Sequence, residues 1–317
     1  MATTTNITTT YAGEAASGYV AAALLSSNTI ENGGVTVYPN VKFKRVLNKI
    51  ALDDVLKDGT CDFNATSAVT KTERVLTMEE FQVNLQLCKK DWQEDWDAVE
   101  MGYSAFDVLP KSMADFLIAH IIAKVAAKSE TNIWSGVNAN AGEYDGFETL
   151  MTAQADQPAA MEIAGTTITA ANVIAQLRLL IDQQTAAMEG DPNMRLYINA
   201  KTARFYVQAL GGYGASGLGS AGIGDNGPMW YTNGDLTIDG VRVFVAKGMS
   251  DDVAILTSVE NLAFGTGVLN DNNIVQVIDT SATLGDQNVR FVLRCTAGAQ
   301  IVNPEQVITY GITNGSN

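Results

Sequence analysis

Residues 72–92 read TERVLTMEEFQVNLQLCKKDW, and the fold turns on how this stretch is read. Phe81, Val83, Leu85 and Leu87 alternate with Gln82, Asn84, Gln86 and Cys88, the period of two expected of a strand with one buried face. Ahead of that strand, Asp58-Gly59 and the run from Asn64 to Thr70 are turn-rich and weakly apolar. The region between about Val46 and Leu76 is therefore expected to leave the body as an extended loop or hairpin.

Charge changes sign on either side of the strand. Residues 41–90 hold nine basic residues against seven acids. Residues 91–115 carry Asp91, Glu94, Asp95, Asp97, Glu100, Asp107 and Asp115 against Lys111 alone, which reads first as a solvated acidic face. After Pro110, Ser112 and Asp115 have the spacing of a capping box, and Met113, Phe116, Leu117, Ile118, Ile121, Ile122 and Val125 recur at helical intervals. A helix is predicted from Ser112 to about Trp134, where Gly136 is a natural stop; at 1.5 Å per residue it would be roughly 33 Å long.

Further along, Thr169 can start a second amphipathic helix with Val173, Ile174, Leu177, Leu180 and Ile181 inward, ending by Gly190-Asp191-Pro192. Met194 to Ile198 reads as a strand, Asn199 as the cap of a helix from Ala200 to Leu210, and 211–227 as a glycine-rich loop. Asp239-Gly240 between two apolar runs is a type I′ hairpin signal. Strands are expected at Val253–Thr257, Ile274–Ile278, Val289–Thr296 and Gln306–Tyr310. The class is α+β, without the regular strand–helix alternation of a doubly wound sheet.

Residues 1–40 contain no Lys or Arg and only Glu14 and Glu31 as acids, and they open in Thr-rich low complexity. They are expected to form an arm, with a short helix from Glu14 to Ser26, that lies on something else. The whole chain of 317 residues is 46% apolar, enough for a real core, but only 17% charged. Against a usual charged fraction of about 25%, its surface must be rich in neutral polar groups, as the centres of protein interfaces are. Thirty-five acids against twenty bases give −15, which argues against sequence-specific binding to a nucleic-acid backbone. Cys61, Cys88 and Cys295 make neither a CxxC nor an even set, so a zinc cluster or disulfide framework is not indicated and a reducing compartment suits them. No secretion signal is read, and the longest apolar stretch, Phe116 to Ala127, is far short of the roughly 20 residues of a membrane helix.

Chemistry is poorly represented. The one histidine, His120, falls in the predicted long helix and is expected to be a buried or interface residue. Residues 212–217 and 217–222 match GxGxxG, but they follow a helix rather than a strand and lead into a turn, so a flexible loop is expected in place of a dinucleotide site. Trp92 and Trp96, four apart, read as packing anchors. No P-loop, nucleophile elbow or HExxH helix is present, no cofactor or metal is expected, and no enzymatic reading has a residue to rest on.

An arm, a projecting hairpin, a long helix and an α/β region with a glycine-rich loop, in that order, resemble the major capsid protein of tailed bacteriophages, the HK97-like fold. Three stretches carry the resemblance: residues 72–92, the helix Ser112 to Gly136, and GVRVFVAKGM at 240–249. The likeness is one of pattern and element order over nearly the whole chain. It implies an N-arm at 1–40, an extended E-loop hairpin at 41–78, a P-domain at 79–165 and 266–317 with the long helix as its spine, and an A-domain at 166–265. The glycine-rich loop, with Tyr213, would lie near a capsomer centre, where packing must suit both five and six neighbours.

The function so implied is structural and non-catalytic: self-assembly as hexamers and pentamers into an icosahedral shell enclosing phage double-stranded DNA. The setting would be a virion capsid assembled in the host cytoplasm, with portal, scaffolding and possible decoration proteins as partners, and no membrane. An encapsulin-type nanocompartment shell, another virion protein such as a tail component, and a soluble α/β enzyme are the alternatives. Beyond the resemblance, the basic Lys42, Lys44, Arg45, Lys71 and Arg74 are candidate partners, across a subunit boundary, of the acidic Asp91, Glu94, Asp95 and Asp97. Against this stands simple solvation of both segments, since exposed pairs contribute only about 0–1 kcal/mol each. Lys71, near the predicted loop tip, is also the candidate for the Lys–Asn cross-link that some members of the family make.

Overall fold

The computed structural model describes residues 9–12, 27–52, 56, 58–59, 61, 69–88, 111–211, 236–267, 274–280 and 285–315. The acidic segment 91–100 with Trp92 and Trp96, the expected helix from Glu14 to Ser26 and the glycine-rich loop with Tyr213 lie outside them.

Strand β13 (Asn288–Ile301) is the spine of the first sheet. Along one edge runs β5 (Glu79–Cys88), paired from Ala297↔Glu79 to Asn288↔Cys88. Along the other, β11 (Leu262–Thr266) and β12 (Ile274–Asp279) lie end to end, both antiparallel to β13. Outside these, β2 (Thr36–Pro39) joins β11 in parallel and β1 (Thr9–Ala12) joins β12. The alternation read in the sequence is the reason: Val289, Phe291, Leu293, Cys295 and Ala297 point one way and are buried, with Phe81, Val83 and Leu87 packed alongside. Helix α2 (Lys111–Ser135) covers that face with Ile118, Ile121, Ile133 and Trp134. It begins one residue before Ser112, which therefore sits in the first turn instead of capping it. His120 is exposed on its surface: of the two positions expected for it, buried or interface, the single chain does not supply the first.

The second sheet has the order β6 (Glu162–Ile163), β14 (Ile308–Tyr310), β10 (Ala254–Ser258), β7 (Met194–Asn199), β9 (Val241–Ala246) and β8 (Thr237–Ile238). Its two faces enter two cores. Leu196, Ile198, Val243, Ala254 and Leu256 pack with α4 (Val173–Asp182) and α5 (Ala200–Gly211), whereas Tyr197, Phe244, Ala246 and Ile255 pack with the first sheet's core. Burial on both sides accounts for the nearly unbroken apolar runs of these strands. Asn199 Oδ1 accepts from the Lys201 backbone N–H at 2.9 Å, the expected cap of α5. Asp239 and Gly240 take φ of 45° and 87°, the left-handed pair that a type I′ turn between β8 and β9 requires.

Sheet membership divides the chain differently from the expected boundaries. The boundary at 265 cuts β11, which belongs wholly to the first sheet. Strand β14, expected with the last strands in the first body, pairs with β10 and β6 in the second sheet. Residues 27–39, expected to be part of a detached arm, are built into the body. Helix α1 (Asn28–Glu31) lays Thr29 against α2, and Val35 is buried in the first core. The third sheet is the hairpin, β3 (Lys44–Leu52) against β4 (Val69–Thr77).

Candidate assembly surface

Pairing in the hairpin assigns its side chains to two faces. Opposite residues share a face, so Val46 stands over Val75 and Ile50 over Lys71 on one side, while Arg45 with Leu76, Leu47 with Arg74 and Lys49 with Thr72 share the other. The second face is docked. Leu47 and Leu76 are buried with Ala263 of β11, and Tyr38, Met78 and Val302 close around them. Lys49 reaches the turn after β13, with Nζ 3.0 Å from Asn303 Oδ1 and 2.6 Å from Glu305 Oε2. Arg74 reaches the other way and donates to Gln154 Oε1 at 2.7 Å and Asp156 Oδ2 at 2.6 Å. Gln300 Nε2 donates to the Val75 carbonyl at 3.0 Å.

The first face has no such cover among the described residues. Ile50 and Val69 are each 67% exposed, Val46 48% and Val75 39%; Phe43, just ahead of β3, is 74% exposed. Apolar residues scattered singly over a surface need no explanation, but a cluster on one face of a two-stranded sheet marks a place for a partner.

The charged candidates fall into distinct situations. Lys42 and Lys44 are exposed and make no ion pair among the described residues. The guanidinium of Arg45 lies 4.3 Å from the centre of the Tyr38 ring. Lys71 is exposed and pairs with Glu73 of its own strand at 2.8 Å. Arg74 is bound within its own chain by Asp156, an acid outside the expected set. Their proposed partners Asp91, Glu94, Asp95 and Asp97 are among the residues not described. Lys49, Asp156 and Glu305 were not singled out from the sequence. Their partners are 82 and 256 residues distant, and no local pattern encodes such pairings.

The hairpin is carried by a body whose joints are polar and buried. Thr29 donates through its backbone N–H to Glu130 Oε2 at 2.8 Å and through its hydroxyl to Oε1 at 2.6 Å, and Trp134 Nε1 donates to the Thr29 hydroxyl oxygen at 2.8 Å. Trp134 also meets Phe147 edge-on at 5.5 Å and Tyr197 at 5.2 Å, joining α2 to α3 (Phe147–Met151) and to the second sheet. Nearby, Glu148 accepts from the Ser250 backbone N–H at 2.8 Å and hydroxyl at 2.6 Å; burial holds its carboxyl above the usual range despite these bonds. Burial likewise pushes the Cys295 thiol up to about 12, the state of an inert core cysteine. Among the described residues, no group of three His, Cys, Asp or Glu could hold a metal ion, and no helix is long and apolar enough to cross a membrane.

Neither a protein-family model nor a curated protein matches the chain by sequence. Solved structures do match in three dimensions. The chain is similar to the capsid of a native GTA particle at 14% identity and a TM-score of 0.59, covering 92% of this chain and 90% of that one. It is similar to the procapsid of satellite phage P4 that includes the size determination protein, at 8% identity and 0.58, covering 94% and 90%. It is similar to the capsid of Myoviridae phage XM1 at 10% identity and 0.52, covering 90% of each. The chain thus has the HK97-like capsid fold over nearly its full length.

Proposed function

We propose that this chain is the major subunit of a tailed-phage shell, a structural protein that assembles with copies of itself into a closed icosahedral container for double-stranded DNA and carries out no catalysis. The observation that carries the reading is the hairpin. Within a capsid fold, its docked face is satisfied by the chain's own residues, while Val46, Ile50, Val69 and Phe43 are exposed and covered by no other described residue. Hexamers and pentamers, portal, scaffolding and decoration partners, a place in the virion and assembly in the host cytoplasm belong to this reading. So do the divisions into N-arm, E-loop, P-domain and A-domain, with Tyr213 near a capsomer centre.

A net charge of −15 suits a passive container, because a strongly basic lining would hold the genome by counterion release. Lys42 and Lys44, exposed and without an ion pair among the described residues, are the candidates to meet the acidic segment Asp91 to Asp97 of a neighbour. Reversing both to Glu lowers shell yield, and reversing the acids as well restores it; failure of the second change to rescue removes the pairing.

Negative-stain electron microscopy of the purified chain, expressed alone and beside its neighbouring genes, with light scattering to count subunits, tests the main reading. Closed shells are expected, filled with DNA when the packaging genes are present. Shells holding an enzyme would assign a nanocompartment instead, tubes a tail protein. A monodisperse particle at the 33.7 kDa of one chain under every condition would overturn the proposal.

A further inference from the structure

The neck of the hairpin crosses the first sheet at a place where two glycines face each other. Gly265 of β11 and Gly298 of β13 are direct partners in the antiparallel ladder. A Cβ on Gly298 would lie 2.2 Å from the Thr77 carbonyl oxygen, 3.2 Å from the Thr77 carbonyl carbon and 3.4 Å from Met78 Cα. A Cβ on Gly265 would lie 2.7 Å from Met78 Sδ and 2.9 Å from Leu76 Cδ2. The missing side chains open a notch in the sheet, and β4 descends through it on its way to β5. Neither glycine has a positive φ, so the requirement is for space and not for backbone conformation.

The notch works with the two ties already described. Lys49 on β3 is held by Asn303 and Glu305, and Arg74 on β4 by Gln154 and Asp156. One tie leaves each strand, each cation is about three-quarters buried, and the acids belong to separate segments of the body. Leu47 and Leu76 fill the space between. The neck is fixed by backbone contact and the shaft by a tie from either strand, so the hairpin has one seated direction in the isolated chain.

We infer that the Gly265–Gly298 notch, together with Lys49 and Arg74, sets the angle at which the hairpin leaves the body, and so the angle at which one copy meets the next. The first half stands on the contacts of a single chain; the second rests on the proposed shell function. The two glycines are not equivalent. At Gly265 the intruding methyl meets side-chain ends only, Met78 Sδ at 2.7 Å, which can turn away, and Cδ2 of the buried Leu76 at 2.9 Å, which yields at less cost than backbone. At Gly298 it meets backbone, which can yield only if the neck moves. Relieving the contact from 2.2 Å to the 3.4 Å of ordinary packing shifts the neck by about 1 Å. Carried along β3, which is about 30 Å long and tied at Lys49, that shift displaces the shaft by on the order of 1 Å.

The experiment places spin labels at Thr70→Cys, exposed on the shaft, and Ala123→Cys, exposed on α2, in a full-length chain with Cys61 and Cys88 changed to Ser, and measures the label distance in the unassembled protein. The same chains are imaged for particle diameter. Gly298→Ala is expected to shift the distance by on the order of 1 Å and to change shell diameter or prevent closure, whereas Gly265→Ala gives a smaller shift. Should Gly298→Ala not fold by circular dichroism, Lys49→Met with Arg74→Met replaces it, and a broadened distance distribution is expected. An unmoved distance in Gly298→Ala, or an equal shift in Gly265→Ala, overturns the seat. A shifted distance with shells of unchanged diameter overturns the link to packing. A shifted distance in a chain that never forms shells, substituted or not, supports the seat and sinks the shell reading.

Discussion

The sheet formed by β6, β14, β10, β7, β9 and β8 and the hairpin of β3 and β4 are both built from apolar, strand-forming residues, yet they hold themselves together differently. In the six-stranded sheet both faces are covered, and Leu196, Ile198, Ala254, Leu256, Ile308 and Tyr310 lose all contact with water. Each such large side chain contributes about 1.5–3 kcal/mol, so this region is stable on its own account. The hairpin buries only Leu47 and Leu76 on one face and leaves its apolar residues outward on the other. A two-stranded ribbon is marginal by itself in water. It persists here because the body seats it. If the proposed shell function holds, the contrast separates residues that build the subunit from residues that build the assembly.

The sharpest way to test that separation is at the joint of the body. Trp134→Ala removes a fully buried ring that touches Phe147, Tyr197 and Thr29, and is expected to cost about 3–5 kcal/mol in denaturant unfolding and to abolish assembly through loss of the fold. Thr29→Val keeps the shape but leaves the Trp134 N–H and one Glu130 oxygen without a partner; a loss of about 1–3 kcal/mol is expected by the same measurement. A stability equal to the unsubstituted chain would mean that water replaces the hydroxyl and that the joint is looser than drawn.

The hairpin should answer in the opposite sense. Val46→Ser with Ile50→Ser is expected to change unfolding by no more than about 0.5 kcal/mol per site while shell yield falls at least tenfold. Equal loss of stability and of shells would erase the distinction between the regions.

Two effects of pH are smaller. Glu148 is raised by burial, so its native form holds a proton more tightly than the unfolded chain, and its contribution to stability, full below the unfolded value, is lost as pH rises from there through the native one. The stability of Glu148→Gln relative to the parent is therefore expected to improve from pH 4 to pH 7; an unchanged difference would show that the carboxyl is solvated. Glu143 runs the other way. Its hydrogen bonds from Lys128, Asn140 and the Val137 N–H hold it at about 2, so its contribution is present above the ordinary carboxylate range and lost only as pH falls towards 2. Carboxyl titration by NMR reads this directly, and a midpoint near 4 would show the cluster to be open in solution.

Elements governed by neighbours a few residues away were legible beforehand. The strand at Phe81–Leu87, the long helix, the Asn199 cap and the Asp239-Gly240 turn rest on period, capping and turn chemistry, which act within one element. The region was legible as an extended loop or hairpin, but not which of its faces would dock. The alternation of Val46 and Ile50 with Leu47 and Lys49 was the available signal for two unlike faces. Within the expected arm, no local rule shows that Thr29 will meet Glu130, 101 residues later.

Pattern and composition alone determined that this chain would be a mixed α+β protein with a long helix and, ahead of the strand at 79–88, a hairpin. Only the tertiary structure decided which face of the hairpin is spent on the chain itself, that Arg74 is tied to Asp156 within one subunit, and that two glycines 33 positions apart meet to form the notch. The physical reason is range. Propensity and periodicity are properties of adjacent residues, whereas the burial of a face, the partner of a charge and the clearance above a glycine depend on segments brought together by the topology of the sheets.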